Sequence, residues 1–147
     1  MMNHIEYQVK VWENGTIYWF INSKFHRENG PAVEYANGNR EWWINGNRHR
    51  ENGPAIEWTN GDKSWYINGK FHRENGPAIE LANGYKAWFV NGKRHRTKGP
   101  AVEYANGDKE WWIDGKQLTE ENFEEQRNSC AGKVIEIEGV KYRLEEI

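Results

Sequence analysis

Cysteine is almost missing from this chain. Cys130 stands alone among 147 residues, which excludes an internal disulfide framework and a Cys-based zinc site. Proline is scarce too, and its four copies all follow glycine, at Pro31, Pro54, Pro77 and Pro100. No apolar run approaches the roughly 20 residues of a membrane span, and none near the N-terminus suits a secretory leader, so a cytoplasmic protein is expected and membrane association is not. Neither sign of charge dominates: 22 acidic residues face 20 basic ones, with a pI near 6.2. That balance argues against a general nucleic-acid binder, which carries a basic excess on one face. A mean hydropathy of −1.05 would fit disorder, but disordered chains lack aromatics and this one is 14% aromatic with nine Trp. The expectation is a folded, thin protein whose core is built largely from aromatic rings.

Those rings fall in register. Trp19, Trp42, Trp65, Trp88 and Trp111 recur every 23 residues, as do His26, His49, His72 and His95, and the four Gly-Pro pairs. The pairs Asn37-Gly38, Asn60-Gly61, Asn83-Gly84 and Asn106-Gly107 keep the same step. A period of this length marks a repeat architecture. Full units are read at 19–41, 42–64, 65–87 and 88–110; Ile5–Tyr18 reads as a degraded half unit, and residues 111–117 open a fifth that is abandoned. The array is therefore placed at 1–117 and a C-terminal cap at 118–147.

Each unit reads as two short strands. The first is Ala32–Tyr35 and its equivalents; the second is Arg40–Ile44 and its equivalents. Asn37-Gly38 between them is the hairpin signal, taken here as a type I′ turn, and a second Asn-Gly at Asn45-Gly46 closes the unit. No room is left for a crossover helix, so the expected fold is mainly β: an elongated antiparallel meander or solenoid of tandem hairpins. Side-chain alternation puts Trp42 and Ile44 on one face, with Val33 and Tyr35 joining them there as the core. The opposite face then carries a second aromatic position in every unit: Phe20, Trp43, Tyr66, Phe89 and Trp112. After Leu118, Thr119 is a good N-cap for a short helix at about 120–128, with Glu120 and Glu121 in its first turn. A terminal hairpin follows at about 133–145, and helix and hairpin together read as the cap that a solenoid end needs.

The histidines do not form a metal site in this reading. Equivalent atoms of successive units lie roughly 10 Å apart at two strands per unit, whereas zinc ligands sit about 2.0–2.1 Å from the ion. No catalytic constellation, cofactor motif or phosphate loop is present; every Gly belongs to the repeat. The loop arginines Arg27, Arg50, Arg73 and Arg96 read as stacking on Trp or pairing with Glu28, Glu51 or Glu74. The fourth loop has no acid, which makes Lys93, Arg94, Arg96 and Lys98 the candidate anion site. The Phe20/Trp43/Tyr66/Phe89/Trp112 stripe is the candidate partner site if exposed, or a second core layer if the loops fold over it. A homodimer through sheet faces or edges is a further expectation.

The unit Trp65-Tyr66-Ile67-Asn68-Gly69-Lys70-Phe71-His72-Arg73-Glu74-Asn75-Gly76-Pro77 resembles the MORN repeat, a unit of similar length with Trp, Asn-Gly-Lys, His-Gly and a late Gly. The resemblance covers roughly residues 12–117, with His-Arg where that family has His-Gly and one extra residue before Gly-Pro. It implies a hairpin scaffold without catalytic residues, of the kind carried by bacteriophages, large DNA viruses and bacteria. The function expected first is a non-enzymatic scaffold binding another protein, as a phage-encoded modulator of a host protein acting in the host cytoplasm. The alternative, from a different class, is a protein that binds or sequesters a small ligand such as a phosphorylated metabolite or nucleotide.

Overall fold

The computed structural model describes residues 6–130 and the strands Val134–Ile137 and Val140–Arg143. It is mainly β. An open antiparallel sheet starts at Gln8–Val11, which pairs with Ile17–Ile21, and ends at Lys116–Leu118. Between these ends every unit adds two rungs. Val33–Glu34 pairs with Arg40–Glu41, and Arg40–Glu41 pairs in turn with Ile56–Glu57 of the next unit. The same meander repeats through Lys63–Ser64, Ile79–Glu80, Lys86–Ala87 and Val102–Glu103.

A second, outer ladder runs beside this inner one. Trp43–Ile44 folds back on Asn47–Arg48, and equivalent hairpins form at Tyr66–Ile67 with Lys70–Phe71 and at Phe89–Val90 with Lys93–Arg94. Here sits the type I′ turn: Asn45 and Gly46 both have positive φ, 51° and 81°. The expected I′ turn at Asn37-Gly38 is a different structure. Only Gly38 is left-handed (φ 88°), Tyr35 N–H bonds to Asn39 C=O at 2.9 Å, and Gly38 N–H bonds to Tyr35 C=O at 2.9 Å. That is a three-residue loop, a type I turn followed by a left-handed residue. The Asn37 side chain supports it by accepting the Asn39 N–H at 3.1 Å.

The expected second strand Arg40–Ile44 is divided at Trp42 because its partner is interrupted. Trp42 N–H donates to Ala55 C=O at 2.8 Å, while Trp42 C=O accepts from His49 N–H at 3.0 Å. Residues 50–54 have to loop out between those two partners. The outer hairpins are tied unit to unit as well: Arg50 N–H donates to Tyr66 C=O at 3.1 Å, and Gly69 N–H to Arg48 C=O at 2.9 Å.

Register corrects the face assignment. Val33 lies opposite Glu41, so Val33, Tyr35, Glu41 and Trp43 share one face. Trp42 and Ile44 occupy the other, with Ala32 and Glu34. Tyr35, expected in the core, is 37% exposed. The fully buried positions are also smaller than expected. Ala32, Ala55, Ala78 and Ala101 are inaccessible on the Trp42 face, and Val33, Ile56 and Val102 are buried on the Trp43 face. The aromatic rings roof these small side chains and remain half-buried.

At the C-terminal end the repeat loop is omitted. Lys109–Ile113 turns directly into Lys116–Leu118, and Thr119 opens the helix Glu120–Cys130. The Thr119 hydroxyl accepts the Asn122 N–H at 3.2 Å, as an N-cap should. Phe123 is 2% exposed, which seats the helix on the end of the array. Val134–Ile137 pairs with Val140–Arg143; residues 133, 138–139 and 144–145 of the expected hairpin, and residues 1–5 of the expected array, lie outside the described residues. Among the described residues, no helix is long and apolar enough to cross a membrane.

Candidate functional site

On the Trp43 face, outer-strand pairing puts Phe25 opposite Phe20, Arg48 opposite Trp43, Phe71 opposite Tyr66 and Arg94 opposite Phe89. The predicted stripe is therefore half of a longer ladder. Phe20 stacks on Phe25 with centroids 4.8 Å apart, and Phe25 lies 5.4 Å from Trp43. The Arg48 guanidinium then bridges Trp43 (4.9 Å) and Tyr66 (5.7 Å). Tyr66, Phe71 and Phe89 follow at 4.2 and 5.1 Å, and Arg94 spans Phe89 (6.0 Å) and Trp112 (5.0 Å). All five predicted positions are thus brought together, and all five rings remain partly exposed. Phe25, Phe71 and Arg48 were not singled out from the sequence, and Arg94 was singled out only as a candidate anion residue. Their signal was their position five residues beyond each second aromatic, across a two-residue turn.

Two glutamates lie beneath the ladder, one under Trp43 and one under Trp112. Glu41, 8% exposed, accepts from the Tyr35 hydroxyl (3.1 Å), Trp43 Nε1–H (2.9 Å) and Arg48 Nε–H (3.2 Å). Burial and then the Glu41 carboxylate push the Tyr35 hydroxyl pKa up to about 12. Glu110 accepts from Tyr104 (2.7 Å) and Trp112 Nε1–H (2.8 Å), and the Tyr104 hydrogen bond above all holds its carboxyl below the usual range. In the two middle units Ser64 and Ala87 replace this glutamate, and there the ladder position is Tyr66 or Phe89, which bring no indole N–H. Glutamate and Trp are exchanged together because a buried carboxylate needs donors.

On the Trp42 face each loop arginine lies flat on its own unit's Trp, with Arg27 3.9 Å from Trp19 and Arg50, Arg73 and Arg96 all 3.8 Å from Trp42, Trp65 and Trp88. Stacking was expected; the ionic partner is different. Arg27, Arg50, Arg73 and Arg96 pair with Glu34, Glu57, Glu80 and Glu103 at 2.6–2.8 Å, not with Glu28, Glu51 or Glu74. Each arginine also donates to the carbonyl of the loop proline, at 2.9–3.0 Å. The histidines join neighbouring units: the Nδ1 atoms of His26, His49, His72 and His95 lie 2.9–3.1 Å from the side-chain Oδ1 of Asn45, Asn68, Asn91 and Asp114, and 3.2 Å from the backbone N of the same residues.

The candidate anion residues are not gathered into one cradle. Arg94 belongs to the aromatic ladder, Arg96 is stacked on Trp88 across the sheet and paired with Glu103, and the Lys93 stem lies against Gly115. Among the described residues, no group of three or more His, Cys, Asp or Glu side chains is placed to hold a metal ion.

Successive loops leave grooves between them. One lies between residues 27–31 and 49–52, floored by Trp42 and Ile44, with a volume of about 580 Å³. Its neighbour, between residues 50–54 and 72–75, is floored by Trp65 and Ile67 and measures about 590 Å³. No family model matches this chain, and no curated protein matches it.

Proposed function

We propose that this chain is a non-enzymatic, MORN-like repeat scaffold that binds another protein through the ladder running from Phe20 to Trp112. The observation carrying this reading is the continuity of that ladder. Nine aromatic or guanidinium groups follow one another on one face, and its five predicted rings are partly exposed. The loops, which could have covered it, lie on the other face. Aromatic residues with arginine are what protein interfaces concentrate at their centres. Because ring faces are spent on one another, the surface offered to a partner is ring edges and guanidinium planes. Such a surface suits an apolar patch bordered by carboxylates.

The setting this resemblance supports is a phage-encoded modulator that engages a host protein in the cytoplasm. The small-ligand alternative has less to stand on, since Arg94 and Arg96 point to opposite faces and Arg96 is already neutralised by Glu103.

Immobilised protein should capture a partner from a lysate of the host cell, and the double variant Trp43→Ala/Tyr66→Ala should lose that capture. Both rings are stacked, so the variant will also melt lower: each pair contributes about 0.5–1.5 kcal/mol beyond area burial. Capture is therefore compared at a temperature where the variant keeps its native circular dichroism. Undiminished capture by the folded variant would rule the ladder out as the binding surface.

A further inference from the structure

The Trp42 face presents a row of grooves whose chemistry differs from that of the ladder and whose spacing is regular. Two rungs per unit at about 4.8 Å each place successive grooves about 10 Å apart. A polyproline II helix completes one turn in 3 residues at about 3.1 Å each, or about 9 Å. Every third residue of such a segment meets a new groove.

The groove chemistry suits that occupant. Trp42 and Trp65 form the floors, one side of each covered by its arginine, and among the described residues neither Nε1–H has a partner. By contrast, the Trp43 and Trp112 indoles on the other face are both bonded to glutamate. A polyproline II segment has no internal hydrogen bonds, so its carbonyls are free to accept from the floor indoles.

Charge then selects the side chains. The loop arginines are neutralised within their own units, whereas Glu28, Glu51 and Glu74 stand exposed at the groove lips without an arginine partner. The fourth loop has Thr97 and Lys98 in place of Glu and Asn. The lips therefore read acid, acid, acid, base along the array. A phosphate-rich ligand would be repelled along most of that row.

We propose that the row of grooves on the Trp42 face binds an extended, proline-rich segment of a partner protein carrying Lys or Arg at every third position. The segment lies across the loops in polyproline II conformation. Its basic residues face Glu28, Glu51 and Glu74, and its prolines pack on the Trp floors.

Fluorescence anisotropy with labelled synthetic peptides tests this on the full chain. The probe is a peptide of repeated Pro-Pro-Arg; the comparisons are Pro-Pro-Glu repeats and a peptide of equal composition with arginine every fourth residue. The Pro-Pro-Arg peptide should bind at least about tenfold more tightly than either comparison, and more weakly as salt rises. The triple variant Glu28→Gln/Glu51→Gln/Glu74→Gln, all at exposed loop positions, should weaken it about tenfold, the sum of three modest ion pairs. In a nitrogen–proton spectrum the indole N–H signals of Trp42 and Trp65 should move on binding while those of Trp43 and Trp112 stay. The Trp43→Ala/Tyr66→Ala variant should still bind the peptide when folded, so this surface and the ladder fail or stand separately. Equal binding of the three peptides, no effect of the triple variant, or movement of the Trp43 and Trp112 signals instead would each overturn the proposal, as would no binding.

Discussion

Truncating Phe123 to alanine is expected to cost about 3–5 kcal/mol and to unfold the C-terminal helix. Phe123 is the one buried residue among positions 120–128, and the rest of the helix is polar, Glu120-Glu121-Asn122 before it and Glu124-Glu125-Gln126-Arg127 after. A helix of 11 residues is marginal in water without tertiary support. Its N-cap at Thr119 contributes only about 1 kcal/mol. Packing of Phe123 against the end of the array therefore supplies most of what holds the helix. Hydrogen exchange provides the readout. In the variant, amides of 120–128 should exchange at rates of open chain, while the inner ladder around Val33–Glu57 keeps its protection, because a repeat array feels an end defect mainly in the nearest unit. A helix that stays protected in the variant would mean that something other than Phe123 holds it.

The second large effect belongs to the arginine bracket. Replacing Arg73 with alanine removes three interactions at once: the stack on Trp65 at 3.8 Å, the hydrogen bond to Pro77 C=O at 3.0 Å and the pair with Glu80 at 2.6 Å. The stack contributes about 0.5–1 kcal/mol and the half-exposed ion pair about 0.2–1. The charged hydrogen bond contributes about 1.5–3. A loss of about 2–5 kcal/mol is expected in chemical denaturation. Arg73→Lys should recover less than half of it, since an ammonium cannot lie flat on the indole and reach both acceptors. If lysine restores full stability, charge alone matters and the bracket geometry does not. The same bracket explains Gly-Pro in the repeat. Gly76 has a φ of +152°, and a Cβ there would sit 2.9 Å from Arg73 Cζ, so any side chain would lift the guanidinium off Trp65.

The sequence made the period, the hairpins and the helix start legible, because each rests on local chemistry: Asn-Gly turns, Gly-Pro punctuation, a Thr cap. It misassigned the faces for one reason. A two-residue turn at Asn37-Gly38 would set Val33 opposite Trp42; the three-residue loop sets it opposite Glu41 instead. A register change of one residue sends every side chain of the strand to the other face. Asn-Gly permits both turns, and only the second site, Asn45-Gly46, uses the two-residue form. The division at Trp42 was hidden for a similar reason: its N–H and C=O serve partners on either side of a loop, which depends on where the chain returns. The pairing of loop arginines with Glu34, Glu57, Glu80 and Glu103 rather than with the adjacent Glu28, Glu51 and Glu74 follows from the same geometry. Side-chain reach across the sheet outweighed nearness in sequence. The aromatic stripe itself was visible, but Glu41 and Glu110 were not singled out, although each unit with such a glutamate also has Tyr at the first strand and Trp on the ladder.

Both proposals depend on two faces of distinct chemistry, and ring contacts in nuclear Overhauser spectra measure that directly. The arrangement described predicts cross-peaks between the Phe25 and Trp43 rings and between the Phe71 and Phe89 rings, 5.4 and 5.1 Å apart at their centroids. It also predicts contacts between the Arg50 side chain and the Trp42 ring, with none between Trp42 and the Val33 methyl groups. Strong cross-peaks from the Val33 methyls to the Trp42 ring, with none between Phe25 and Trp43, would put the ladder in the wrong register and contradict both proposed binding surfaces.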